Sequence, residues 1–94
     1  MDKKKLRYAI LKEIDDGNKV LSEKDFEVDV ETFDNAVNYL KREGYIDGIP
    51  YGGNRPILFE GTAYLTEKGE NYLEKNSALA KTYRGLKEIR KWLL

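Results

Sequence analysis

The sequence predicts an α+β fold in which several helices surround one small antiparallel hairpin. Apolar residues recur at helical spacing in three stretches, which are LRYAILKEI, FDNAVNYLKREGYI and GLKEIRKWL. Residues 45 to 65 instead combine aromatic and branched side chains with glycine and proline, which is typical of short strands and turns. A chain of 94 residues, 40% of them hydrophobic, is expected to form one domain over residues 1–94.

The first predicted helix runs from Lys3 to about Asp16 and stops at Gly17. Its apolar positions are Leu6, Ile10, Leu11 and Ile14. The apolar pair Val20-Leu21 then suits a brief strand. Ser22 is expected to cap a second helix that ends near Phe26, because acidic residues follow it where the helix dipole is positive.

The third predicted helix has the strongest local signals. Asp29 is a good N-cap, and Val28 and Phe33 occupy the positions of a hydrophobic staple, so this helix begins at Val30. Gly44 ends it. Its predicted apolar face is Val30, Phe33, Ala36, Val37 and Leu40.

Two strands and two helices are predicted to complete the chain. The strands are residues 45–51 and 57–65, joined by the turn-rich segment 52–56, and the prolines and Gly61 indicate edges or bulges. Thr66 caps a fourth helix, which breaks at Asn76-Ser77. A last helix, residues 78–94, carries an apolar stripe for which three uses are open: packing on its own core, a homodimer contact, or an anionic membrane surface. The stripe is Leu79, Tyr83, Leu86, Ile89 and Leu93.

This order is the outline of a winged helix-turn-helix, with its core and wing in residues 1–65 and two added helices in residues 66–94. The chain also resembles the YjcQ-like family of small winged-helix proteins from Gram-positive bacteria and their phages or prophages. The segments that carry the resemblance are LRYAILKEI, FDNAVNYLKREGYI, LTEKGENYL and KEIRKWL. The resemblance implies the winged-helix fold and a bacterial or phage setting, and it leaves the biochemical role open.

Residue usage excludes several classes of site. The chain has no Cys and no His, so it lacks thiolate nucleophiles, imidazole bases and the commonest metal ligands. It also lacks phosphate-binding glycine motifs and a nucleophile elbow. We therefore expect no enzyme, no cofactor and no metal. No apolar run approaches the ~20 residues of a membrane span, and a cytoplasmic location is expected.

Charge is balanced overall but unevenly distributed along the chain. Residues 1–14 carry five basic and two acidic side chains, residues 15–34 carry two basic and eight acidic ones, and residues 77–94 carry five basic and one acidic. A domain with no net charge is a weaker candidate for nonspecific DNA binding than a basic one. A local basic face is still compatible with binding.

The leading functional candidate is the exposed side of the third helix, where four polar residues align at helical spacing. In a helix-turn-helix this helix enters the major groove, where Asn, Arg and Glu can contact base edges. We call these four residues the outer stripe, and they are Glu31, Asn35, Asn38 and Arg42. Lys41 lies on its flank. The alternative is a solvated helix face.

Further cations are candidates for phosphate contacts. Arg55 lies near the tip of the predicted wing, where it could reach a minor groove or a phosphate. The N-terminal cations Lys3, Lys4, Lys5 and Arg7 could contact the DNA backbone. The alternatives are that Arg55 only keeps the loop soluble and that the N-terminal cations belong to a frayed, solvated terminus.

The second functional candidate is a protein-binding surface without a nucleic-acid role. It would use the acidic residues at the start of the third helix, which are Glu27, Asp29, Glu31 and Asp34. The same residues would repel DNA phosphates. Duplex DNA is the leading expected partner, and a protein is the alternative.

Overall fold

The structure is a computed structural model that describes residues 1–18 and 20–94. Lys19, which was counted among the charges above, lies outside the described residues. Helix α1 (Lys3–Asp15) agrees with the predicted first helix, and the side chain of Asp2 caps it by accepting a hydrogen bond from the Lys5 amide. This helix is central, because other elements cover most of its surface. Its buried residues are Leu6, Tyr8, Ala9, Ile10, Leu11 and Ile14.

The segment after α1 differs from its prediction. Val20 and Leu21 form no strand, so that prediction was wrong; Leu21 is buried while Val20 is 67% exposed. The predicted second helix is reduced to a single 3₁₀ helix, Glu23–Phe26. Ser22 and Asp25 form a capping box at its start, and Phe26 anchors it in the core. One buried aromatic residue and a capping box suffice to hold so short a helix.

Helix α2 (Val30–Arg42) is the predicted third helix. The Asp29 side chain accepts a hydrogen bond from the Thr32 amide at 2.8 Å, which also lowers the Asp29 pKa below its ordinary value. Phe33 stacks on Phe26 with ring centroids 5.7 Å apart. The remaining buried residues are Ala36, Val37 and Leu40. Val30 was assigned wrongly to the apolar face: it is 42% exposed, because the first turn extends beyond the core.

The predicted hairpin is present as two short antiparallel ladders. Strands β1 (Ile46–Asp47) and β4 (Tyr64–Leu65) form its base, and β2 (Tyr51–Gly52) and β3 (Arg55–Pro56) form its tip, which is the wing. Three residues separate the ladders on one side and seven on the other, residues 48–50 and 57–63. Unequal lengths prevent regular pairing between the ladders. The intervening residues contribute buried side chains instead, which are Ile49, Leu58 and Ala63.

The C-terminal region consists of α3 (Glu67–Lys75), α4 (Ser77–Thr82), a 3₁₀ helix (Leu86–Glu88) and α5 (Ile89–Leu93). The prediction of one continuous helix over residues 78–94 was therefore wrong. The chain leaves the helix at Tyr83 and passes through Gly85, whose φ of +87° favours glycine. The break lets the Tyr83 ring pack edge-on against Trp92, with centroids 5.2 Å apart.

One hydrophobic core joins all of these elements. It lies between α1, α2, the hairpin and α5, and the predicted stripe of the last helix packs against it. The order of helix, short helix, α2 and hairpin is the predicted winged-helix order within an α+β fold, with the second helix shortened. Helix α2 consequently lies between the wing and the N-terminal part of α1.

Candidate nucleic-acid interface

Three of the four outer-stripe residues of α2 are exposed to solvent, two at the ends of the stripe and one in its middle. Glu31, Asn35 and Arg42 are exposed. Among the described residues, the side chains of Glu31 and Asn35 have no hydrogen-bond or ion-pair partner, and Arg42 has one long ion-pair contact, 4.0 Å to its neighbour Glu43. An exposed amide can donate and accept hydrogen bonds in a groove of DNA, and an exposed guanidinium can donate them.

Asn38 and Lys41 turn toward the wing rather than outward. The Tyr51 hydroxyl donates a hydrogen bond to Asn38 Oδ1 at 2.7 Å, and Lys41 Nζ lies 4.9 Å from the centroid of the same ring. Burial and the nearby Asp34 carboxylate raise the pKa of Tyr51, which favours the protonated hydroxyl that donates this hydrogen bond. Tyr51 thus ties this side of α2 to β2.

Arg55 is held at the wing by two carboxylates. Its Nε donates to Asp34 Oδ2 at 2.7 Å, and its Nη2 lies 3.2 Å from Asp34 Oδ1 and 3.3 Å from Glu23 Oε1. The hydrogen bond to Asp34 is the main reason why the pKa of Arg55 is raised. The second terminal nitrogen, Nη1, has no partner among the described residues, and the side chain is 47% exposed. One wing cation therefore anchors the wing to α2 and to the 3₁₀ helix.

The N-terminal cations do not share one surface. Lys3 and Arg7, one helical turn apart, line a groove of about 110 Å³ between α1 and α2, which we call the α1 groove. Thr32, Asn35 and Ala36 line its other wall. Lys5 points away from this groove, with its Nζ 5.2 Å from the centroid of the Trp92 ring, and Lys4 is exposed. The structure brings Lys3 to Asn35, and it separates Lys5 from the outer stripe.

Tyr39 connects the α1 groove to the end of the outer stripe. The Arg7 guanidinium lies 3.5 Å from the centroid of the Tyr39 ring, and the Arg42 guanidinium lies 5.5 Å from it. Two arginines of different helices thereby lie beside one aromatic ring. Arg42 lies 4.0 Å from the Glu43 carboxylate, and Arg7 has no ion pair among the described residues. Tyr39 was not among the residues that the sequence singled out. The sequence contained one signal for this arrangement. Lys3 and Arg7 are four residues apart, so they share one face of α1.

Most of the acidic candidate residues already have partners inside the protein. Asp29 caps α2, Asp34 binds Arg55, and a Glu27 oxygen lies 3.1 Å from Arg90 Nη2. Glu31 is the exception. Glu23, which sequence analysis left out, shares Arg55; no local pattern could identify a partner 32 residues away.

Two classes of site are absent from residues 1–18 and 20–94. No group of three or more acidic side chains converges in a way that could hold a metal ion. No helix in this part of the chain has both the length and the apolar character that crossing a membrane requires.

Three comparisons place the chain among known proteins. A family profile described as YjcQ protein matches residues 4–92. The uncharacterized protein YjcQ of Bacillus subtilis (strain 168) is 56% identical over 93 residues, which cover 99% of each chain. The solution NMR structure of the YjcQ protein from Bacillus subtilis superimposes with a TM-score of 0.71 at 55% identity, covering 85% of this chain and 97% of that one. This chain belongs to the YjcQ family.

Proposed function

We propose that this protein is a DNA-binding module that contacts double-stranded DNA through α2 and the cations beside it. The proposed role is that of a small cytoplasmic regulator in a bacterial or phage setting, without enzymatic activity. The observation that carries the proposal is the bracketing of Tyr39 by Arg7 and Arg42 next to the free amide of Asn35. Phosphate-binding cations beside groups able to contact bases are the combination that DNA recognition needs.

The roles of the individual residues follow from their positions. Asn35 contacts base edges, and Arg42 contacts a base edge or a phosphate, because both side chains are exposed. Lys3, Lys4 and Arg7 contact phosphates on the α1 side of α2. Asn38 and Lys41 contribute from the wing side, where Tyr51 fixes their orientation. Arg55 orients the wing through Asp34 and offers its free Nη1 to a phosphate.

The acidic charge around the N-terminal end of α2 is less unfavourable for DNA than the sequence indicates. The carboxylates of Glu23, Glu27 and Asp34 are each within ion-pair distance of an arginine. Paired carboxylates repel phosphates less than free ones, since the neighbouring cation offsets their field. Glu31 is the acidic residue of the outer stripe that opposes DNA binding.

A homodimer through the C-terminal region has less support than a single copy. The stripe offered for self-association is covered by the protein's own core, with Ile89 and Leu93 buried and Tyr83 half-buried. The proposal therefore takes one protomer as the binding unit. Sedimentation of the protein with and without DNA would measure the stoichiometry.

The alternative is a protein-binding surface formed by the acidic residues Glu27, Asp29, Glu31 and Asp34. It has less support, because three of these four carboxylates already bind groups within the chain. The two functions predict opposite effects of one substitution. Glu31→Gln should strengthen DNA binding by removing a charge that repels phosphate, whereas it should weaken an acidic protein contact.

The test of the proposal is a mobility-shift titration of random-sequence duplexes at low salt. The natural protein should form a complex, Arg42→Ala should weaken it by about 1 to 3 kcal/mol, and Glu31→Gln should tighten it. Glu74→Gln on α3 is the matched control for Glu31, because Glu74 is also exposed but lies on another helix. Glu31 is preferable to Asp34 for this test, since neutralising Asp34 also releases Arg55. Absence of any complex, with the natural protein and with Glu31→Gln, would refute the DNA proposal.

A further inference from the structure

A second basic groove lies on the other side of the α1 N-terminus. It has a volume of about 450 Å³ and opens between the first turn of α1 and the C-terminal segment. Three of its lining residues are cationic and one is acidic. We call it the C-terminal groove, and its lining residues are Lys5, Thr82, Arg84, Glu88, Lys91 and Trp92.

The cations of this groove are its accessible chemical groups. Arg84 Nη1 donates to the Lys81 carbonyl at 2.9 Å, and Lys91 Nζ lies 3.8 Å from Glu88 Oε2, with the Lys91 side chain 83% exposed. Trp92 is only 7% exposed, and its Nε1 donates to the Lys5 carbonyl at 3.0 Å. The indole therefore supports the floor of the groove and is not available for stacking on a base or for entering a membrane.

The C-terminal groove and the α1 groove are adjacent. Lys3 lines one and Lys5 lines the other, two residues apart on the first turn of α1, and the exposed Lys4 lies between them. Because residues two apart on a helix point to nearly opposite sides, the two grooves place cations on both sides of the first turn of α1. The cations in and beside the two grooves are Arg42, Arg7, Lys3, Lys4, Lys5, Arg84 and Lys91.

We propose that the C-terminal groove is a second phosphate-binding surface, which holds the DNA backbone beyond the part of the duplex that α2 contacts. This inference rests on the proposed function. A duplex presents a regular row of phosphates, and cations on both sides of the first turn of α1 fit such an extended ligand better than they fit a single small anion. The groove also gives the basic C-terminal region a role in binding: it increases affinity without reading sequence.

The test compares two double variants with equal loss of charge. Arg84→Gln with Lys91→Gln removes two cations of the C-terminal groove, and Lys24→Gln with Lys75→Gln removes two exposed cations that line neither groove. Each is titrated by fluorescence anisotropy with a duplex of about two helical turns over a range of salt concentrations. Removing two phosphate contacts should reduce the slope of log affinity against log salt by about 2, and the control should keep the natural slope. Circular dichroism melting checks that both variants fold.

The possible outcomes separate this inference from the proposed function. If the natural protein binds DNA and both double variants share its salt slope, the C-terminal groove is not a phosphate surface, and the α2 interface stands. If the natural protein forms no complex at low salt, both proposals fail. Binding to anionic phospholipid vesicles that is lost in the Arg84 and Lys91 variant, with DNA binding unchanged, would also overturn the assignment to nucleic acid.

Discussion

Arg55 of the wing forms a two-point ion pair with Asp34 of α2, with Nε–Oδ2 and Nη2–Oδ1 distances of 2.7 and 3.2 Å. The contact joins a residue expected to bind DNA to a residue expected to bind protein, and each partly neutralises the other. A forked guanidinium–carboxylate pair also fixes geometry better than a single contact. The wing and α2 therefore present one surface whose parts keep a defined spacing.

The ion pair predicts coupled effects of two substitutions. Arg55→Ala and Asp34→Ala should each increase the mobility of the wing. The double variant should be little worse than Arg55→Ala, because that substitution already removes the contact to Asp34. Hydrogen exchange of the β2 and β3 amides measures this directly. Fully additive effects would show that the pair does not hold the wing.

The orientation of α2 predicts that substitutions on its buried and exposed sides lower the free energy of unfolding by different amounts. Phe33 is 2% exposed and stacks on Phe26, so Phe33→Ala should lower the free energy of unfolding by about 3 to 5 kcal/mol. Asn35→Ala, on the exposed side, should lower the free energy of unfolding by less than about 1 kcal/mol. Urea unfolding measures both. Similar losses for the two variants would mean that the assignment of the buried face is wrong.

Gly69 on α3 gives a prediction in which packing opposes helix propensity. Alanine is the better helix former by about 1 kcal/mol, so propensity alone predicts that Gly69→Ala stabilises the protein. The added Cβ would however overlap the Tyr45 carbonyl oxygen and approach the Leu65 side chain within 3.3 Å. We expect a net loss of about 2 kcal/mol or more, since backbone atoms cannot move aside as a side chain can. A raised melting temperature would contradict the close packing of α3 on the hairpin.

The Tyr83–Glu13 contact predicts a pH dependence of stability. The Tyr83 hydroxyl donates to Glu13 Oε2 at 2.7 Å, and burial, followed by this hydrogen bond, raises the Tyr83 pKa above its ordinary value of 10.0. Because the folded state favours the protonated phenol, its contribution is complete below pH 10 and is lost as the pH rises through the folded pKa. Tyr83→Phe should cost about 1 kcal/mol at neutral pH.

The control for this prediction is the same comparison at alkaline pH. The difference in unfolding free energy between the natural protein and Tyr83→Phe should shrink above pH 10, when the unfolded tyrosine ionises. A difference that stays constant from neutral to alkaline pH would contradict the raised pKa.

Local signals account for the parts of the fold that the sequence predicts well. The Asp29 cap and the core position of Phe33 depend on residues within one or two turns, and both agree with the structure. The sequence did not predict the break at Gly85, because Leu86, Ile89 and Leu93 are spaced as they would be on a continuous helix. In the broken arrangement Tyr83 packs on Trp92 and donates a hydrogen bond to Glu13, 70 residues away, and sequence spacing carries no information about such a distant contact.

The same limit applies to the candidate site. The outer stripe follows from helical periodicity alone, so Asn35 and Arg42 could be identified from their spacing. The partners of Arg55 depend on how the hairpin lies over α2, and the approach of Arg7 to Tyr39 depends on the packing of α1 against α2. Such contacts are set by the tertiary arrangement, and no single segment of the chain encodes them.

Amide chemical-shift mapping shows whether duplex DNA binds α2 on the side of the α1 groove. Titrating a duplex of about two helical turns into ¹⁵N-labelled protein at low salt should perturb the amides of Arg7, Asn35, Tyr39 and Arg42. The perturbations should reverse as salt is added, because phosphate contacts are displaced by ions. Absence of perturbation at low salt, or perturbation confined to α3 and the hairpin base, would contradict binding at this surface.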